Sequence, residues 1–333
     1  MTRPTRYSDG GTVHEVIVVG GGAAGLSAAL VLGRAGRCTL VLDEGRPRNQ
    51  VSPASHGVFT RDGDSPTELL RLARTQLAPY PSVELRQVSA MSARPEAGGF
   101  VVLASDGSEA RSRRILLAVG VRDELPPIAG LASLWGTGVL HCPFCHAWEV
   151  RDEPLAVCAN GSAAMGMVTL LLGWSRDLLL CTNGPANLSV EERDGLASQG
   201  VGIIETPLTA VGGAPSAVTL EFADGRVERR RALFLRPERR PASDLPDLLG
   251  CERTETGLIK VGADRQTSVP GVYAAGDAST AEHQVLIAAA SGAEAAMQIV
   301  RGLAREDFEG RGCRCLMTHP AVELGTVRVG QLT

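Results

Sequence analysis

The sequence predicts an α/β protein of two nucleotide-type domains, the second inserted in the first, and three stretches carry that prediction. "HEVIVVGGG" is an apolar, β-branched run ending in glycines, "AAGLSAALVLGRAG" has helical spacing with a glycine stop, and "RCTLVLDEG" is a second buried strand. Strand, Gly turn, helix and strand in that order make a βαβ unit, which implies a parallel sheet. A weaker copy begins near residue 154, with "EPLAVCANG" as strand, "SAAMGMVTLLLGWS" as helix and "RDLLLCTNG" as strand. The third stretch, at 268–300, is a strand, a tight Gly-Asp turn and a long Ala-rich helix.

A chain of 333 residues has room for about two domains of ~150 residues each. Proline-containing stretches at 123–130 and 239–247 look like linkers. The expected division is therefore 1–122 with 245–333, enclosing 123–244. Apolar residues make up 44% and charged residues 21%, as in a globular protein with a packed core. Net charge is -4 with acids and bases interleaved, which argues against a nucleic-acid face. The Arg-rich run "GRVERRRALFLRPERR" (225–240) reads as a solvated strand edge or surface loop.

No apolar run reaches the ~18 residues that a membrane span needs. The first residues lack a signal-peptide hydrophobic region, so a cytoplasmic protein is expected. In a reducing compartment eight cysteines are not a disulfide scaffold, and a C-x-x-C is catalytic or metal-binding.

Gly20-Gly21-Gly22-Ala23-Ala24-Gly25 matches G-x-G-x-x-G between the first strand and its helix. Gly20 permits the tight turn, Gly22 lets backbone approach a pyrophosphate at the helix N-terminus, and Gly25 lets helix and strand pack closely. Asp43, ending the next strand, is placed to accept hydrogen bonds from a ribose. The second cradle, Ala159-Asn160-Gly161-Ser162-Ala163-Ala164, keeps only the middle glycine. "CTNGPANLSVEERDG" after the following strand offers no acid for a ribose hydroxyl and no arginine cluster for a 2′-phosphate. The residues do not support an NADPH site there.

"HCPFCHAWEV" (141–150) holds Cys142 and Cys145, flanked by His141 and His146. Zinc fits poorly. A structural site takes two separated ligand pairs, and adjacent His141 and Cys142 do not easily reach one ion. Cys313 and Cys315, one residue apart in the tail, supply no such second pair, and that spacing strains a disulfide. No metal is expected. As a redox pair, Cys-x-x-Cys lowers a thiol's pKa, and the thiolate is the attacking form. The histidines add proton carriers that titrate near neutral pH, with His146 preferred by its place after Cys145. Cys38, Cys158 and Cys181 lie in apolar strands and read as inert core thiols, and Cys251 as a lone loop thiol. Trp135 and Trp148, on either side of the pair, read as core or pocket wall.

The order of Gly20–Gly25, "AVGVRDELPPIAG" (118–130), Cys-x-x-Cys and "GVYAAGDAST" with "HQVLIAAASGAEAA" resembles the low-molecular-weight thioredoxin reductases, to about residue 308. The resemblance implies two dinucleotide-binding (Rossmann-like) domains, FAD on the discontinuous one, and a homodimer. It implies that Asp277, after Gly276, holds the flavin ribitol, and that Gln284 and the helix from Val285 cover the flavin's far side. Glu44, Asn49 and Gly120 join the implied FAD contacts. It places Cys142 outward and Cys145 toward the flavin.

The chain departs from that family at the second Gly motif, at the Arg pair for NADPH, and at His146, where an acid is usual. "PRNQ" (47–50), "SHGVFTRDGDSP" (55–66) and Cys-x-x-Cys-His followed by Trp-Glu look instead like the FAD-dependent dithiol oxidases of gliotoxin- and holomycin-type pathways. That resemblance implies a small-molecule dithiol whose thiolate attacks Cys142, Cys145 leaving toward the flavin, His146 moving protons, and O2 accepting the electrons as peroxide. An NADPH-dependent thioredoxin or disulfide reductase is the alternative enzyme, and a redox sensor the non-enzymatic one.

Overall fold

The structure, a computed structural model, describes residues 13–310. β1 (Val13–Val19) is buried beyond its first residue because it runs through the middle of a sheet covered on both faces. β2 (Thr39–Leu42) and β3 (Val83–Arg86) follow on one side, all parallel. On the other side lies β6 (Glu109–Leu117), then β5 (Gly99–Ala104) and β4 (Ala90–Glu96) as an antiparallel meander. β17 (Val272–Ala274) returns from late in the chain to pair in parallel with the end of β6.

α1 (Ala23–Arg34) ends as its glycine stop predicts, with Gly36 in the left-handed region (φ 66°). α7 (Val285–Phe308) lies so close on α1 that a Cβ on Gly292 would sit 2.0 Å from the Ala24 carbonyl oxygen. Val16, Val18, Leu26, Leu32, Ile299 and Leu303 fill this face, each worth about 1.5–3 kcal/mol by its burial. α2 (Pro66–Thr75) closes its edge, capped by Ser65, whose hydroxyl accepts from Glu68 N–H. The opposite face packs Ile17, Leu40 and Ile115 against the meander and the segment with α6 (Leu245–Leu248).

The chain leaves the first sheet through β7 (Val121–Glu124) and returns through β16 (Glu238–Pro241), and these two pair antiparallel with Asp123 opposite Arg239. The stretches expected as linkers thus include a hydrogen-bonded ribbon. Between them lies a second sheet in the order β11 (Gly202–Ile204), β10 (Leu178–Cys181), β9 (Leu155–Cys158), β15 (Ala232–Leu235), β8 (Val139–Leu140), parallel throughout. α4 (Gly161–Leu171) and α5 (Val190–Ser198) pack one face, through Val168, Leu171 and Leu196. β12 (Leu208–Ala214), β13 (Ala217–Phe222) and β14 (Val227–Arg230) form an antiparallel layer over the other.

The Arg-rich run corrects one expectation. Its middle, Ala232–Leu235, is the wholly buried β15, and only the flanks are surface. Four apolar residues in a row outweigh flanking charge when both faces of a parallel strand are covered. Among the described residues no helix is long and apolar enough to cross a membrane. The architecture is the predicted one: α/β, with two Rossmann-like sheets. Cys313 and Cys315, and the tail expected to be loosely held, lie outside the described residues.

Candidate active site

The first cradle sits at the carboxyl ends of β1, β6 and β17, where open α/β sheets hold ligands. Gly20 takes φ 104°, and a Cβ there would lie 2.3 Å from the Ala118 carbonyl oxygen. A Cβ on Gly25 would lie 1.8 Å from the Gly20 carbonyl oxygen, so helix and turn meet backbone to backbone. At Gly22 a Cβ would meet nothing within 4 Å. Gly22 caps α1 with no side-chain acceptor, and the first turn carries no acid. The first N–H groups of α1 thus have no side-chain partner, as a pyrophosphate requires, while Ala24 is buried against Gly276 and Gly292.

Asp43 packs directly on the turn, since a Cβ on Gly21 would lie 2.5 Å from its carboxyl carbon. Its Oδ1 accepts from Gly45 N–H (3.1 Å) and its Oδ2 from Arg74 (2.8 Å), which leaves carboxylate lone pairs for a ribose. Glu44 is more exposed and pairs with Arg46. Asn49, on the 3-10 turn Arg48–Val51, is half-buried. Gly120 (φ 67°) follows β6. Gly276 (φ 71°) donates its N–H to Ser291 Oγ and stands against Ala24. Gln284 caps α7, and Val285 begins it. The open, uncapped helix start and the side chains around it fit an FAD.

The second cradle does not fit a dinucleotide in the same way. α4 starts one residue early, at Gly161 (φ 57°), with Asn160 as its cap. Asn160 Oδ1 accepts from Gly161 N–H and from Asn187 N–H, both at 2.8 Å. Its Nδ2 donates to the carbonyls of Thr182 (3.2 Å) and Pro185 (3.0 Å). One amide thus meets two donors and two acceptors, and ties the loop after β10 to the start of α4. Glu205 holds that loop from below, accepting from Ala186 N–H and Arg193.

The redox pair lies just past the carboxyl end of β8. Cys142 caps the short α3 (Pro143–His146), and Cys145 N–H donates to the Cys142 carbonyl. One helical turn puts both side chains on one face, and the sulfurs are bonded (2.06 Å; Cα–Cα 5.3 Å). In this state neither sulfur is a metal ligand. Phe144 (64% exposed) and Trp148 (62% exposed) stand out on either side. Trp148 is therefore outer wall rather than core, with Arg151 over its ring at 4.0 Å. Trp135 is half-buried and stacks on His141, centroids 5.5 Å apart.

Burial pushes the His141 imidazole down to about 4, with the Arg48 guanidinium adding to the effect. Burial lowers His146 as well, while the Glu149 carboxylate opposes it. Both rings are neutral at pH 7 and can accept a proton. Burial holds Cys158 up near 11 and Cys181 near 12, so these neighbours in β9 and β10 stay protonated. Burial raises Cys251 too, and its thiol contacts Thr267 Oγ1.

One network ties the cradle to β7, the strand by which the chain leaves the first sheet, and sequence reasoning missed it. Arg48 donates to Asp277 Oδ2 at 3.0 Å and forks onto both oxygens of Asp123. It also donates to His283 Nδ1 (2.8 Å), whose Nε2 faces the Thr280 carbonyl at 3.1 Å. Arg48 and Asp123 act electrostatically on His141, the residue before Cys142. The only sequence signal for Arg48 was its place inside "PRNQ". Asp123 and His283 likewise stood only inside quoted motifs, "AVGVRDELPPIAG" and "HQVLIAAASGAEAA", and Arg74 carried no signal.

The sequence profile of the pyridine nucleotide-disulphide oxidoreductases matches residues 14–296. The thioredoxin reductase sirT of Leptosphaeria maculans is 31% identical over 302 residues, covering 85% of this chain and 92% of that protein. The crystal structure of HlmI superposes with a TM-score of 0.84 at 34% identity, covering 92% of this chain and 97% of that one. An oxidoreductase from Agrobacterium tumefaciens gives 0.83 at 34% identity, covering 88% and 99%. With a flavin cradle and a Cys-x-x-Cys disulfide in one chain, it belongs to the pyridine nucleotide-disulphide oxidoreductase family, as a thioredoxin reductase-like flavoenzyme of thiol–disulfide exchange.

Proposed function

We propose that this protein is an FAD-dependent dithiol oxidase that closes an intramolecular disulfide in a small molecule and passes the electrons to O2. The observation that carries this reading is the Asn160 stitch. A reductase must bring hydride from a nicotinamide held on the second sheet, and here Asn160, standing in the altered Gly motif, spends its amide on tying the loop after β10 to the start of α4. Phe144 and Trp148 beside the disulfide offer apolar surface to a small substrate.

The chain's residues divide the work. A substrate thiolate attacks Cys142 Sγ, the Cys142–Cys145 bond breaks, and Cys145 takes the electron pair. His146 accepts the proton that the attacking thiol gives up. The substrate's second thiol then displaces Cys142, so the substrate leaves as disulfide and the enzyme holds two thiols. Bound FAD supplies a two-electron acceptor for those thiols and a route to O2, which becomes H2O2. The homodimer implied by the family resemblance and the cytoplasmic location expected from the first residues belong to the same reading.

Oxygen uptake with dithiothreitol, and flavin bleaching by NADPH, test it together. Steady uptake with peroxide formed and no NADPH bleaching is expected. Rapid bleaching by NADPH, with no uptake, makes the protein a reductase. Cys145→Ser offered an oxidised substrate, a disulfide, should hold a mixed disulfide on Cys142, whose thiolate attacks that disulfide and releases one of its sulfurs as thiol. If Cys142→Ser traps the adduct on Cys145 and Cys145→Ser traps none, the two roles are reversed.

A further inference from the structure

The second domain hangs from the first by two strands, β7 and β16, and a ribbon of that kind is an ordinary hinge. Here both strands are fastened to the first domain. Arg48 forks onto the buried carboxylate of Asp123 on β7. Arg239 of β16, opposite Asp123 in the register, donates to His283 Nδ1 at 3.1 Å. The turn that carries Arg48 also meets the redox segment. A Cβ on Gly136 would lie 2.7 Å from both the carbonyl oxygen and the Cγ2 of Val51, so the two chains touch with no room for a side chain. Gly136 leads into β8 and so to Cys142, and its neighbour Trp135 stacks on His141. On the other side of the disulfide, His56 Nε2 stands 3.5 Å from Glu149 Oε1. Residues 48–56 of the first domain thus touch the second at its exit strand, before the disulfide and after it. Both cysteines are half-buried.

We infer that these contacts clamp the two domains in this arrangement through the whole cycle, so that the substrate is a dithiol small enough to enter the seam between them; this rests on the oxidase reading. A swing about the ribbon would pull Asp123 from Arg48, Arg239 from His283, Gly136 from Val51 and Glu149 from His56. Parting a buried ion pair is strongly unfavourable, because each charge is left without its partner. The oxidase chemistry needs no swing. Electrons enter at Cys142 and leave by Cys145 toward the flavin, and no nicotinamide has to be brought in. A protein dithiol, whose sulfurs lie in its own surface, needs the seam opened to reach Cys142. A free small dithiol does not.

The test uses the FAD-loaded enzyme without oxygen. Dithiothreitol should bleach the flavin, and reduced thioredoxin, a protein dithiol, should not. Small-angle X-ray scattering should give the same profile before and after dithiothreitol. Bleaching by thioredoxin, or a profile that changes on reduction, overturns the proposal. His56→Gln with Arg239→Gln removes two of the contacts away from the chemistry, and amide hydrogen exchange in β7 and β16 should then speed up roughly tenfold. Unchanged exchange in that folded variant also overturns it, and the scattering of the unaltered enzyme serves if the variant fails to fold. Oxygen uptake by the unaltered enzyme is measured apart. Its absence, with an unchanged scattering profile, sinks the oxidase reading and leaves the clamp standing.

Discussion

Arg48 donates to Asp277 at 3.0 Å while its other edge holds Asp123, so one guanidinium ties the flavin turn to the strand by which the chain leaves the first sheet. Despite its burial, its two carboxylate partners keep this arginine firmly charged. Replacing it by Met strands two carboxylates in a largely buried place, which costs about 3–5 kcal/mol. Arg48→Lys keeps the charge and loses the fork, so it recovers only part. The midpoint of flavin release on heating should fall in the order wild type, Lys, Met.

The two glycines of the cradle separate folding from binding. Gly25→Ala drives a methyl into the Gly20 carbonyl, and insoluble or unfolded protein is the expected product. Gly22→Ala meets no atom of the chain and should fold, yet its methyl fills the space through which a pyrophosphate approaches. A colourless Gly22→Ala with an unaltered apoprotein melt would bear this out. A fully yellow one would move the FAD elsewhere.

Asn160→Ala removes a helix cap and leaves two N–H groups and two carbonyls without their partner. Urea unfolding should show a loss of about 1–2 kcal/mol, while dithiol-driven oxygen uptake stays near wild type. A collapse of uptake in a stable variant would give this loop a catalytic role.

Acid should weaken the fold through its buried histidines. His14 and His141 are both lowered from 6.5 to about 4, chiefly by burial. Between those values the unfolded chain binds more protons than the folded one, so stability falls as pH drops from 6.5 to 4 and then levels. Each ring contributes up to about 3 kcal/mol of that loss. His14→Leu should reduce the urea midpoint's pH dependence across that window, with His141, His146 and His283 keeping the remainder.

Phe144 and Trp148 are the expected grip on an apolar substrate. Phe144→Ser and Trp148→Ser should each raise KM for a small apolar dithiol about tenfold and leave kcat within about twofold. Equal losses in kcat would place these rings in the chemistry instead.

The local features of this protein were legible along the chain. The βαβ unit, its weaker copy, the Gly20–Gly25 turn and the one-turn spacing of Cys142 and Cys145 depend on neighbours a few residues apart. Periodicity and glycine placement report such neighbours directly. Even Asn160 was visible as a break in the second motif. Its partners were not, because Asn160 meets Thr182, Pro185 and Asn187 only when two βα loops come side by side.

The remaining features were decided by the fold alone. Arg48 finds Asp123 and Asp277 at separations of 75 and 229 residues, and His56 finds Glu149 93 residues further on. The Arg-rich run hid a core strand for a similar reason: burial of Ala232–Leu235 depends on which strands lie beside it and what covers both faces. A pattern in sequence records what a residue can do, whereas the charge or oxygen that it meets across the fold is set by packing between distant segments.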